Sequence, residues 1–294
     1  MKSKEVAQQW RERGQIITID NRRFFVIDEG NKDLPVLLFL HGYPSCSFDF
    51  VHVLPKLSTS FRVIVHDHLG FGYSDKPTNY SYSLIEQADY ALRLWENLGV
   101  KKAHLIAHDY GTSVATEILA QRKETELAII FQTVTLTNGS IHIELADLRF
   151  IQKLLKHKFW GPLVAKFSNE YIFVHQMRRL WFDQSKADLE ELKALWIMGS
   201  AKGGKNVLPA ITQYLNERYQ YWDRWIGSLK SLDIPTHILW AQDDPVSVKE
   251  IGELLYTEIP PSEITRLENL GHYPMIEDPQ RWTEALTDFL SHHL

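Results

Sequence analysis

Apolar residues along the chain fall into short runs of strand length, each bounded by Gly, Pro, Asn or Asp and separated by stretches with helical spacing. Residues 36–40, 62–65, 103–107, 127–135, 236–240 and 264–267 are such runs, apolar enough to be buried on both faces. Residues 84–98, which stop at Gly99, and residues 282–290 space their apolar side chains as amphipathic helices do. This alternation predicts an α/β protein with a mostly parallel sheet flanked by helices, whose ligand site lies beyond the carboxyl ends of the strands. Residues 15–19 and 23–27, around the Asp20-Asn21 turn, predict a pair of edge strands, and residues 1–14 read as a charged leader with Trp10 as a packing anchor.

The pattern changes after Gly139. From there to Leu229 no strand-like run occurs, and Trp160, Trp181, Trp196, Trp222 and Trp225 sit in helix-like segments. The expected organisation is a core of residues 1–138 and 230–294 with a helical cap, residues 139–229, in which most of the Trp side chains form packing. No internal repeat or low-complexity segment interrupts it.

Composition narrows the function classes. In 294 residues, 44% hydrophobic and 23% charged residues are ordinary for a globular protein, and a net charge of −5 with no basic tract argues against nucleic-acid binding. The single Cys46 forms no intrachain disulfide, which fits a reducing compartment, and it reads as a small buried apolar residue. The 13 His residues show no convincing metal-ligand spacing, and neither a metal nor an organic cofactor is expected. Residues 1–13 lack an apolar signal core and no window approaches the ~20 apolar residues of a membrane span, so the expected location is cytoplasmic.

The chemistry concentrates at His108-Asp109-Tyr110-Gly111. A buried run stops at Ala107 and helical spacing begins just past Gly111, so Asp109 occupies the tip of a tight strand-to-helix turn. Such elbows usually present Ser. A carboxylate is ionised at neutral pH and needs no base, so Asp in this place predicts direct attack on an sp3 carbon and an alkyl-enzyme ester, with epoxides and haloalkanes as targets. Two plainer readings compete: Asp109 as a helix N-cap, and Ser113 as nucleophile, since Gly111-Thr112-Ser113-Val114-Ala115 loosely mimics G-x-S-x-A. Ser113, however, falls one turn into the helix. His104 and His108 are expected to be packed or hydrogen-bonded, and Asp67 and Asp75 to form turns.

Asp109, Asp244 and His272 follow one another in the order nucleophile, acid, histidine, each just beyond a predicted strand. With His41-Gly42-Tyr43-Pro44, Ala241-Gln242-Asp243-Asp244 and Gly271-His272-Tyr273-Pro274, the whole length resembles the α/β-hydrolase superfamily, and the Asp at the elbow resembles its epoxide hydrolase and haloalkane dehalogenase branch. His108-Asp109-Tyr110-Gly111, Leu69-Gly70-Phe71-Gly72, Thr137-Asn138-Gly139 and Gln213-Tyr214 are similar to the mesoderm-specific transcript proteins. The resemblance implies a catalytic triad of Asp109, Asp244 and His272, with backbone N–H groups of Tyr43 and Tyr110 as the oxyanion hole. Asp244 is preferred over Asp243 because the G-x-x-D register ends there, with Ala241 in the Gly position. Dehalogenases of this branch hold halide with a Trp after the nucleophile and an Asn in the H-G-x-P loop; here Tyr110 and Tyr43 stand in those places. Epoxide hydrolases use lid tyrosines as proton donors, and among Tyr171, Tyr214, Tyr219 and Tyr221 the position of Tyr214 fits best. The leading expectation is therefore hydrolysis of an epoxide to a diol, on a small apolar or aromatic organic substrate. Haloalkane dehalogenation aided by lid Trp residues is the alternative, and a catalytically weak ligand-binding protein is the reading from another class.

Overall fold

The computed structural model describes residues 2–294. The described residues form an eight-stranded sheet in the order β1 (Gln15–Ile19), β2 (Arg22–Glu29), β4 (Arg62–His66), β3 (Val36–Leu40), β5 (Lys102–His108), β6 (Ile130–Thr137), β7 (Thr236–Ala241) and β8 (Ser262–Leu267). The β1–β2 and β2–β4 pairs are antiparallel and the remaining neighbours parallel. Before β6 come α1 (Lys2–Arg13), α2 (Leu54–Leu57), α3 (Leu84–Asn97) and α4 (Tyr110–Glu124). The chain between β6 and β7 carries α5 (Phe150–Leu155), α6 (Trp160–Phe167), α7 (Glu170–Arg178), α8 (Leu189–Ser200), α9 (Gly204–Ile211), α10 (Tyr214–Gln220) and α11 (Trp222–Lys230). The remainder is α12 (Lys249–Glu258), α13 (Pro274–Glu277) and α14 (Pro279–Ser291).

The central strands have continuous apolar runs because helices cover both faces of the sheet. Successive residues point to opposite sides: Leu38, Leu40, Ile64 and Leu105 enter one apolar core, while Leu37, Phe39, Val63 and Ile106 enter the other. Three strands extend beyond the runs, to His66, His108 and Thr137. Those polar ends are buried and stay in the sheet through backbone pairing, which hydropathy does not register.

Two expectations are corrected. β2 is not an edge strand, since it pairs with β1 on one side and β4 on the other, and Phe24 to Ile27 are buried. Residues 2–13 are a helix rather than a leader. Its buried face is only Ser3, Ala7 and Trp10, a narrow i, i+4, i+7 stripe that the surrounding charges hide. Trp10 donates its indole N–H to Ser47 Oγ (3.2 Å) and packs edge-on to Phe48 (5.2 Å), and the Ala7 carbonyl accepts from the Tyr73 hydroxyl (2.6 Å). Trp10→Ala removes the one large side chain of that stripe. Thermal unfolding of this variant is expected to show a loss of ~3–5 kcal/mol and a Tm drop on the order of 10 °C; an unchanged Tm would make α1 peripheral to the fold.

Candidate active site

β5 ends at His108 and α4 begins at Tyr110, leaving Asp109 alone at the junction with φ 44° and ψ −107°. The turn is tight because α4 starts against the end of β3: a Cβ on Gly111 would lie 2.4 Å from the Leu40 carbonyl oxygen, so glycine is required there. The Asp109 carbonyl is held by the Thr112 N–H (3.1 Å), the Thr112 hydroxyl (2.6 Å) and Arg218 Nη2 (3.3 Å). The side chain does not cap α4. It leaves the elbow toward the loop after β3, where its Oδ2 accepts the Tyr43 N–H at 2.8 Å. The Tyr110 N–H makes no hydrogen bond to that carboxylate.

Asp244, after β7, and His272, after β8, come to the same place. Asp244 is buried and accepts four hydrogen bonds: from the Val246 N–H (2.7 Å) and Ser247 N–H (3.0 Å) on Oδ1, and from Asn138 Nδ2 (2.9 Å) and His272 Nδ1 (2.7 Å) on Oδ2. Its neighbour Asp243 is exposed and binds the Asn269 N–H instead. Because a carboxylate only accepts, Nδ1 of His272 carries hydrogen and Nε2 points at Asp109, 4.0 Å from Oδ2. Burial alone would lower the His272 pKa, but the charges of Asp244 and Asp109 and the bond to Asp244 raise it to about 9. For Asp244, burial acts upward and is outweighed by the charge of His272 and the donated hydrogen bonds, which hold the carboxyl below its usual range.

A cavity of about 130 Å³ opens over Asp109 and His272. Tyr43, Phe71 and Val246 line it from the sheet side, and Leu155, Ile172, Trp196 and Leu208 line it from the helices between β6 and β7. None of the four candidate tyrosines forms its wall. Tyr171 and Tyr219 are exposed, Tyr221 is half-buried, and Tyr214, favoured from the sequence, lies behind the wall. The Tyr214 ring packs on Tyr43 (5.4 Å) and Tyr110 (5.1 Å), under the Arg218 guanidinium (4.6 Å), and its hydroxyl accepts from Nε2 of the cavity-lining Gln152 (3.4 Å). Ser113 does not line the cavity either, and its hydroxyl accepts from Arg218 Nε at 2.7 Å.

Three residues, Asn138, Asp49 and Arg218, hold the site together although the sequence assigned them no role there. Asn138 joins the ends of β6 and β7, accepting from the Ala241 N–H (3.0 Å) and donating to Asp244; its strand-end position and left-handed φ of 45° mark it only in the structure. His108 donates Nε2–H to the His272 carbonyl (2.8 Å), with Nδ1 3.4 Å from the buried Asp49. Asp49 in turn accepts from the Gly42 N–H (3.0 Å) and Ser45 hydroxyl (2.8 Å), tying together the loops that carry Tyr43 and His272. Arg218 is buried, forms no salt bridge among the described residues, and holds the elbow from beneath.

Residues 35–279 match the family model described as alpha/beta hydrolase fold. LipZ of Mycobacterium tuberculosis is 34% identical over 283 residues, 96% of this chain and 97% of LipZ. The mesoderm-specific transcript homolog protein of Homo sapiens is 32% identical over 293 residues, covering 96% and 87% of the two chains. Among solved structures, haloalkane dehalogenase DbeA from Bradyrhizobium elkani superposes with a TM-score of 0.80 at 18% identity, over 95% of this chain and 97% of that one.

The charge arrangement makes a checkable statement. His272 should titrate near 9 in the folded protein, against ~6.5 unfolded. Its contribution to stability is then fully present below about pH 6.5 and lost as pH rises through 9. Imidazole NMR should report this midpoint, lowered in Asp109→Asn and lowered further in Asp244→Asn; a wild-type midpoint near 6.5 would refute the two-carboxylate arrangement.

Proposed function

The chain belongs to the alpha/beta hydrolase fold family, and we propose that this hydrolase attacks an sp3 carbon with the Asp109 carboxylate, opening an epoxide to a diol through an alkyl ester. The observation that carries the reading is a buried carboxylate on a strained elbow, lining an apolar cavity, with an imidazole Nε2 4.0 Å away. Asp109 oxygen bonds to the epoxide carbon, the carbon–oxygen bond breaks, and the ring oxygen leaves as an alkoxide that takes the Nε2 proton of His272, leaving the imidazole neutral. His272, oriented by Asp244, then removes a proton from water. The water oxygen attacks the ester carbonyl carbon, the N–H groups of Tyr43 and Tyr110 hold the oxyanion, and the diol departs with Asp109 regenerated.

Helices α5–α11, which fill the expected cap of residues 139–229 and run one residue past it to Lys230, act as a cap that excludes bulk water from this centre. The cavity volume, about 130 Å³, is close to the ~150 Å³ that accommodates a benzene-sized molecule, so the substrate is compact and apolar. A second reading, haloalkane dehalogenation, is favoured by Trp196. It lines the cavity, and an indole N–H is the kind of donor that holds a halide.

Intact-protein mass spectrometry of His272→Ala, incubated separately with styrene oxide, propylene oxide and butyl bromide, tests both. Removing the base should trap the ester. An epoxide adduct on the Asp109 peptide supports the first reading and a butyl adduct the second; no adduct, with an inactive wild type, points to a ligand-binding protein. Because Tyr214 lies behind the cavity wall, Tyr214→Phe should lower kcat less than ~10-fold, whereas loss of a direct proton donor costs ~10²–10⁴-fold.

A further inference from the structure

Helix α6 is built with two unlike faces. Gly161 and Ala165, one turn apart, are buried, and a Cβ on Gly161 would lie 2.3 Å from the Leu155 carbonyl oxygen, so the helix lies flush on the end of α5. Its opposite face carries Trp160, Leu163 and Phe167, at i, i+3 and i+7, and these are exposed, Phe167 by 69%. Phe159 stands edge-on to Trp160 (5.1 Å) and is 65% exposed, and Phe150, at the start of α5, is 74% exposed. Large apolar side chains clustered in this way on a water-facing surface mark a contact surface.

The charge around them is one-sided. Residues 148–169 contain Arg149, Lys153, Lys156, Lys158 and Lys166 and no Asp or Glu, a local +5 in a chain of net −5. None of these five forms a salt bridge among the described residues. A second copy docked by two-fold symmetry would set +5 against +5, which disfavours a homodimer here. Trp and Phe interleaved with Lys, as in Lys158-Phe159-Trp160, suit an interface that is apolar inside and anionic at its rim.

We infer that the outer face of α5 and α6 docks on an anionic lipid bilayer, with Phe150, Phe159, Trp160 and Phe167 entering the headgroup–acyl boundary and the lysines facing acidic headgroups. Helix α5 supplies Gln152 and Leu155 to the cavity wall, which sets the cavity beside the docked surface. The inference does not depend on which reaction the cavity performs.

Co-sedimentation with sucrose-loaded vesicles reads this without an activity assay. The full chain should bind vesicles of phosphatidylcholine with one quarter phosphatidylserine at least ~10-fold more tightly than phosphatidylcholine alone. Lys153→Ala combined with Lys158→Ala should weaken binding on the order of 25-fold, about fivefold for each cation near an anionic surface. Phe159→Ser, Trp160→Ser and Phe167→Ser together should abolish it, with circular dichroism and Tm confirming a retained fold. No preference for the anionic vesicles, or unchanged binding in the lysine variant, would overturn the inference. So would sedimentation velocity showing a wild-type dimer that the aromatic variant loses, since that would assign the face to a second copy.

Discussion

The contact between Gly111 and the Leu40 carbonyl sets the geometry of everything beneath the cavity. With no room for a side chain at position 111, α4 begins against the end of β3, and the one residue left to link β5 to α4 must take up a left-handed backbone. Strain of that kind costs ~1–3 kcal/mol. It is offset locally: the Asp109 carbonyl accepts three hydrogen bonds, from Thr112 twice and from Arg218, each of which contributes ~0.5–1.5 kcal/mol. The strained backbone also turns the carboxylate out of both the helix and the strand, so it caps nothing and meets the Tyr43 N–H instead.

Much of this frame was legible because the parallel strands are buried on both faces. β3 spans the same residues as its apolar run, and β7 exceeds its run only by Ala241. Glycines and polar residues cluster where those strands end, so the loops bearing Asp109, Asp244 and His272 could be placed at one sheet edge before their distances were known. What hydropathy hid is physically consistent. α1 buries a stripe too narrow to stand out among charges, and β2 lies inside the sheet although its ends carry Arg and Glu.

Between β6 and β7 the signal was coarser, because helices packed on helices there alternate short apolar stripes. Tyr214 illustrates the consequence. Its place in the sequence suited a proton donor, and nothing in the sequence showed that its ring would pack among Tyr43, Tyr110 and Arg218. Asn138, Asp49 and Arg218 were missed for a related reason. They act on backbone groups and on other side chains across 50 to 110 residues of sequence, and nothing local in the chain encodes such partners.

The proposed carboxylate nucleophile needs no deprotonation. A serine at the elbow would depend on a neutral imidazole from the outset, whereas His272, between two carboxylates, holds its proton to about pH 9. In the proposed reaction, esterification of Asp109 would change this, because it would remove a unit charge 4.0 Å from Nε2. At an effective dielectric constant of ~20 that charge is worth on the order of 4 kcal/mol, enough to bring the imidazole to or below neutrality. The base would thus become available when the intermediate that requires it has formed, and only then. Asp244, with its four hydrogen bonds, keeps its own charge in that step, so the change in basicity would come from the loss of the Asp109 charge.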